Sequence, residues 1–248
     1  MIRRSGVREV IAYNWPQYAA GIGTAVVCAA LSGRLPRPSR AAARAGAAAA
    51  LGLLASATVA TWLVYDRSEL YDYDWLDALL PQPPAAHLVV GTGLDEAGAP
   101  LAARWPESRQ TTVDLYDPAL MTEGSVRRAR RRVPPSPHAL PGRPGALPVR
   151  AALADAVFLV FSAHELRRAR DRERLFRECA RALRPGGRLV LVEHLRDGAN
   201  TAVFGPGARH FLPRAEWLRL AAHVGLRPAA ERRIAGLVTA FAFAKGPA

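Results

Sequence analysis

The chain has 248 residues, half of them apolar, and a formal charge of +13 from 34 basic against 21 acidic side chains. That length admits one large domain, or an α/β domain of ordinary size with an appendage, and the apolar share supports a sizeable core. The basic surplus is almost wholly arginine, Lys245 being the only lysine; it favours an anionic surface such as a membrane, and with no aromatic-interleaved basic stripe, recognition motif or repeat it excludes nucleic acid as the expected partner.

Residues 11–33 carry no charge, and neither do residues 45–65, with the arginine-bearing linker RLPRPSRAAAR between them. As a helix the second run spans about 30 Å, the thickness of a bilayer's hydrocarbon. The expectation is a two-helix membrane hairpin with Trp15, Tyr18, Trp62 and Tyr65 as interfacial anchors. A water-soluble helical pair packed on the following domain and a cleaved signal peptide are the alternatives. Arg34, Arg37, Arg40 and Arg44 in the loop oppose Arg3, Arg4 and Arg8 on the N-terminal tail in setting its orientation. Residues 66–80 mix acids with Leu70, Tyr73, Trp75, Leu76 and Leu79, and prolines 81, 83 and 84 end them. They read as an amphipathic segment along a membrane or over the domain's mouth, or as a plain connecting helix. The division is a hairpin with connector over 1–80 and an α/β domain over 81–248.

His87-Leu88-Val89-Val90 reads as a strand that feeds the turn Gly91-Thr92-Gly93-Leu94-Asp95-Glu96. A strand running into a glycine turn lets backbone approach a ligand, with a helix N-terminus beyond it. A second strand, Thr111-Thr112-Val113-Asp114, ends in an acid placed where a ribose-binding carboxylate belongs. Asp117 is its rival, and reads equally as a turn-forming residue before Pro118. The arginine-rich segment 125–132 is either a solvated helix end or a contact for anionic lipid headgroups.

Residues 156–161 form a fourth strand that empties into Ser162-Ala163-His164-Glu165. A helix over 171–183 follows, with Cys179 on its apolar face. Cys28 and Cys179 lie too far apart in context to suggest a disulfide framework or a metal knuckle, which fits a reducing compartment. Arg184-Pro185-Gly186-Gly187 is expected to stop that helix at Leu183 and launch a strand through 189–192, ending in Glu193 and His194. A polar loop, a helix over 216–225 and a closing strand pair complete the chain. His164, His194 and His210 can converge on one cleft with Glu165 and Glu193 nearby; His194 is the first candidate for a general base and His164 the second. Such a set can bind a metal, but its spacing demands none, and no metal is assigned.

The glycine turn, the acid after the second strand, Leu147-Pro148-Val149 before the fourth, and the run ALRPGGRLVLVEH together resemble the class I S-adenosylmethionine-dependent methyltransferases over 85–245. The resemblance implies a Rossmann-like α/β fold, a mostly parallel seven-stranded sheet with helices on both faces, here preceded by two hydrophobic helices of transmembrane type. It implies S-adenosylmethionine as cofactor, held by Gly91, Thr92, Gly93, Asp95, Glu96, Asp114 or Asp117, and Ser162. The catalytic set is then His194, His164, Glu165 and His210. The chain departs from the family pattern in three places. Val89 stands where an acid usually precedes the first glycine, Asp95 replaces the third glycine, and residues 138–147 offer no clear adenine-contacting acid. Asp95 or Glu96 is the expected partner of the methionine amino group. The function expected is a membrane-associated methyltransferase acting on a small lipophilic acceptor (a phenol, quinone precursor, thiol or lipid headgroup), with its domain on the cytoplasmic side of the cell membrane, where the cofactor is. A non-catalytic binding or scaffolding module of the same fold is the alternative; a nicotinamide-dependent oxidoreductase fits the RPGG run poorly.

Overall fold

The computed structural model describes residues 6–247, so Arg3 and Arg4 of the orientation argument lie outside the described residues. Seven strands form one sheet: β1 (Ala86–Gly91), β2 (Arg109–Asp114), β3 (Leu140–Pro141), β4 (Ala154–Val160), β5 (Leu183–His194), β6 (Leu226–Ile234) and β7 (Val238–Lys245). Their order is β3-β2-β1-β4-β5-β7-β6. The first five run parallel, and β7 lies antiparallel between β5 and β6. This is the Rossmann-like sheet that the resemblance implied.

Alternation along the central strands sends successive side chains to two separate layers. Leu88, Val157, Leu159, Leu189, Leu191 and Phe241 pack with Phe176 of α5 (Ala169–Ala182) and Trp217 of α7 (Arg214–His223). Val89, Phe158, Val190 and Ala240 face the other way, onto Leu70, Trp75 and Leu76 of the connector and Leu101 of α3 (Gly98–Arg104). Each such side chain contributes about 1.5–3 kcal/mol by leaving water. Both layers are covered, so the interior of β4 and β5 reads as unbroken apolar sequence. Cys179 is free and fully buried in the first layer, where burial pushes its thiol pKa up.

Two expectations need correcting here. The helix before RPGG ends at Ala182, and the strand begins at Leu183 rather than beyond the glycines: Leu183 pairs with Ala154, and the register shifts before Arg188 pairs with Ala156. Gly186 takes a φ of +77°, and a Cβ on Gly187 would stand 2.9 Å from the Asp155 carbonyl oxygen. The glycines therefore serve an irregularity inside the strand and the close approach of its neighbour, not a helix stop. The connector is not a single helix either. Residues 63–67 make a wide π turn and Asp74–Ala78 a short 3-10 turn, because Leu70, Tyr73, Trp75 and Leu76 are buried against the sheet rather than along one helical stripe.

α1 (Gly6–Ser32) and α2 (Arg37–Trp62) form an antiparallel hairpin. The Tyr18 hydroxyl lies 3.1 Å from Thr58 Oγ1, and Gly21 admits Leu54 so closely that a Cβ would come within 2.7 Å. At the tip, Arg40 donates to the carbonyls of Ser32, the last residue of α1, and of Leu35 in the turn that follows. At the foot, both oxygens of Asp66 accept from the Gly6 and Val7 amides at 2.8 Å, a cap supplied from the other helix. Of the two hydrophobic helices expected, only the one over Arg37–Arg67 is long and apolar enough to cross a membrane among the described residues. α1 falls short because Asn14 breaks helical geometry (φ −111°, ψ 18°) just before Pro16, which has no amide hydrogen to give, and Gln17 follows.

Candidate active site

The glycine turn and the ends of β2, β4 and β5 meet at the carboxyl edge of the sheet, where ligands bind in open α/β folds. Thr92 Oγ1 donates to the Ser162 carbonyl at 3.0 Å, tying the exit of β1 to that of β4. Gly93 has φ +119°, and a Cβ there would lie 2.9 Å from the Tyr116 ring and 3.0 Å from Val126. Only glycine fits. Gly91, Gly93, Asp95, Asp114, Arg130 and Ser136 line the adjoining cleft.

Asp95, in place of the third glycine, accepts from the Ala97 and Gly98 amides at 3.1 and 2.7 Å and so turns the chain into α3. Its carboxylate lies where a Cβ on Gly98 would come within 2.3 Å, so the missing glycine has in effect moved three residues on. Glu96 turns away from the cleft, accepting from the Tyr71 hydroxyl at 2.7 Å, and burial pushes its carboxyl pKa up. Asp114 lies in the cleft: one oxygen accepts from the Tyr116 amide at 3.0 Å and the other pairs with Arg130 at 2.5 Å. Arg130, on α4 (Gly124–Arg132), also stacks over Tyr116 at 4.9 Å. Asp117 lies outside the cleft lining and accepts from the Ala119 amide at 2.8 Å, the geometry of a turn. Ser162 Oγ is buried with no hydrogen-bond partner.

Beyond the cleft, successive residues of β5 part company. Glu193, fully buried, accepts from the Ala163 and His164 amides at 3.1 and 3.2 Å, and its other oxygen stands 2.6 Å from His164 Nδ1. His164 Nε2 lies 3.1 Å from Glu165. Burial alone would lower the His164 pKa, but the two carboxylates outweigh it and push it up to about 10. His210 stands edge-on to His164 with ring centres 5.1 Å apart, its Nε2 3.8 Å from Glu165 and its Nδ1 3.6 Å from Glu123.

His194 points the other way, into rings. Phe211 and Phe161 stack on it at 4.9 and 5.5 Å, and Phe204 and Tyr65 approach at 5.6 and 6.1 Å. Its Nδ1 faces the Leu237 carbonyl at 3.1 Å and Asn200 Oδ1 at 3.2 Å, so Nδ1 carries the proton. Nε2 is then the acceptor for the Tyr65 hydroxyl at 3.0 Å. Burial pushes the His194 pKa down to about 4, which keeps the ring neutral. Phe161 holds a φ of +47°, a strained conformation for a bulky residue, and this aims its ring at both His194 and Tyr65.

The structure thus brings His164, Glu165, Glu193 and His210 together and sets His194 in a separate aromatic group; Phe211, 6.1 Å from His210, touches both. Sequence reasoning missed Tyr65, Phe161, Phe204, Phe211, Asn200 and Arg130 as site residues. Three of these left a trace: Phe204 and Phe211 punctuate the loop after β5, and Tyr65 ends an uncharged run.

A methyltransferase domain model matches residues 88–191. No curated protein matches the chain. Among solved structures, the pyocyanin biosynthetic protein PhzM aligns over 98% of this chain and 74% of its own, with a TM-score of 0.56 and 17% identity. A SAM-dependent methyltransferase from Methanosarcina mazei aligns over 71% and 99% respectively, with a TM-score of 0.50 and 13% identity. An O-methyltransferase family 2 protein from Planctomyces limnophilus, in complex with apigenin, aligns over 79% and 61%, with a TM-score of 0.50 and 16% identity. At these identities the likeness is one of fold. The glycine turn and the carboxylates of Asp95 and Asp114 lining one cleft at the carboxyl edge of the sheet fit S-adenosylmethionine as cofactor. Residues 88–191 thus match a methyltransferase domain and lie in a sheet with the class I, S-adenosylmethionine-dependent methyltransferase fold.

Proposed function

We propose that this methyltransferase works at a membrane surface on a small lipophilic acceptor, with its α/β domain on the cytoplasmic side and its hairpin as the anchor. The observation that carries the reading is the foot of the hairpin. Tyr65, in the turn that ends α2, completes the aromatic group around His194, so anchor and acceptor edge share a side chain. Among the described residues every exposed large apolar side chain except Leu140 lies on the hairpin, including Trp15, Val26, Val27, Leu51, Val59 and Trp62. A concentrated apolar surface of this kind marks an interaction site. Residues 45–63 carry no charge and as a helix run about 28 Å, close to hydrocarbon thickness. Membrane lipids are the partner this surface suits. The rings of Phe161, Phe204 and Phe211 are half-buried at the sheet edge, which suits a planar or apolar acceptor.

When bound, the cofactor supplies an electrophilic methyl group on a sulfonium. The chain's own contribution is orientation and the handling of one proton. Asp114 and the glycine turn seat the nucleoside end. Neutral His194 is the acceptor of the proton released by an acceptor hydroxyl, reached through or in place of the Tyr65 hydroxyl that occupies Nε2. His164, held as a cation by Glu193 and Glu165, orients rather than accepts.

The test is titration of the full chain, in detergent, with S-adenosylmethionine and its demethylated product, followed by a labelled-methyl screen over phenols, quinone precursors, thiols and lipid headgroups. Saturable binding, weakened about tenfold or more by Asp114→Asn and within twofold of wild type in Asp117→Ala, is expected. A folded chain that binds neither compound overturns the enzyme reading in favour of a scaffolding module. Flotation with vesicles tests the anchor, and a chain that stays at the bottom of the gradient removes it.

A further inference from the structure

The cluster beyond β4 holds more than a methyl transfer from a sulfonium calls for. One donor atom each from His164, Glu165 and His210 lies within 4.8 Å of the other two. Glu165 Oε1 stands 3.1 Å from His164 Nε2 and 3.8 Å from His210 Nε2. Nitrogen and oxygen ligands of a tetrahedral zinc-class ion, at about 2.0–2.2 Å from it, stand about 3.4 Å from each other. The observed separations bracket that value.

Two independent features point to a cation. Glu165 is 8% exposed, and its Oε2 is buried with no hydrogen-bond donor near it. A dry carboxylate oxygen with nothing donating to it is what a bound cation would satisfy. Each imidazole also has a carboxylate at its far nitrogen: Glu193 lies 2.6 Å from His164 Nδ1 and Glu123 3.6 Å from His210 Nδ1. Outer carboxylates of this kind fix the tautomer and aim the other nitrogen at a metal. Arg167 Nη1 adds a scaffold, donating to the carbonyls of His164 at 3.3 Å and His210 at 2.9 Å, which holds the two segments at one spacing.

We propose that His164, Glu165 and His210 form a binding site for one zinc-class divalent cation, oriented by Glu193 and Glu123, the ion displacing the proton that the empty site holds on His164 Nε2 beside Glu165. Two imidazoles and a carboxylate suit zinc, cobalt or manganese, whereas magnesium and calcium favour oxygen ligands alone. Three protein ligands leave a coordination position open, the pattern of a site that takes water or a substrate oxygen.

The test uses the full chain in detergent, stripped with chelator and titrated with cobalt(II), read by visible d–d absorption and by displacement with zinc. One equivalent per chain, displaced by zinc, is expected. Glu165→Gln and His210→Ala should each weaken it at least tenfold, and Glu193→Gln should weaken it about tenfold through His164. His223→Ala, on the exposed face of α7, should leave it unchanged. A folded wild-type chain with no saturable cobalt binding overturns the proposal, as does binding that is equal in wild type, Glu165→Gln and His210→Ala. S-adenosylmethionine binding, measured alongside, reports on the methyltransferase reading separately.

Discussion

β4 and β5 lie side by side and each delivers a histidine to the same edge, yet the two imidazoles have opposite character. His164 sits between two carboxylates with its pKa pushed up to about 10, and His194 sits among four rings with its pKa pushed down to about 4. The pleat of β5 makes the difference. Glu193 and His194 are neighbours, so one points to each side of the sheet, and the carboxylate that charges His164 cannot serve His194. The same residue type becomes a fixed cation or a neutral acceptor according to what the adjoining residue does.

The sharpest way to break this contrast is Glu193→Ala. It removes the acceptor of two amides and leaves a buried imidazolium with one carboxylate, so unfolding in denaturant should show a loss of about 3–5 kcal/mol. A loss under about 1 kcal/mol would mean His164 is not held as a buried cation.

The pH profile addresses the other histidine. Between its folded value of about 4 and its unfolded value of 6.5, His194 binds fewer protons in the native state. Its contribution to stability is therefore complete above 6.5 and is lost as the pH falls toward 4, on the order of 2–3 kcal/mol over the window. Thermal unfolding of wild type against His194→Leu should show that slope flattened in the variant. An unchanged slope would place the acid sensitivity elsewhere.

Tyr65→Phe sharpens the comparison from the hairpin side, leaving His194 Nε2 without its donor at a cost of about 1–2 kcal/mol. If the hydroxyl relays the acceptor's proton, methyl transfer falls by about 100-fold in the same variant while cofactor affinity holds. Asp66→Ala should be smallest, about 1 kcal/mol, as the cap on α1 is lost. Hydrogen exchange should show the loosening in residues 6–13 before it appears in β5.

The sheet was legible because its signals are local. Branched runs, a glycine turn and an acid at the right remove specify β1, β2, β4 and β5 from a few residues each. What was misread in RPGG is the reach of β5: pairing with Ala154 draws Leu183 into the strand, a tertiary preference that overrides the local stop signal. Asp95 looked like a defect in the cofactor loop, and its job is visible only once its carboxylate is seen against Gly98. His164, Glu165 and His210 could be named from strand ends and loops. The separation of His194 from them could not, since it depends on rings from the hairpin and from two later loops. In α1, Asn14, Pro16 and Gln17 are legible in the sequence as what shortens the uncharged run, and the break in helical geometry falls at Asn14.

The bond between Tyr65 and His194 joins residues 129 apart in the chain. Loop closure of that length comes late in folding, after local helices and neighbouring strands have formed. The hairpin is made before the strand bearing His194, so the aromatic group is sealed only when both segments have been made and docked. A chain that stops short of β5 carries the glycine turn and the hairpin, but not the ring group around His194.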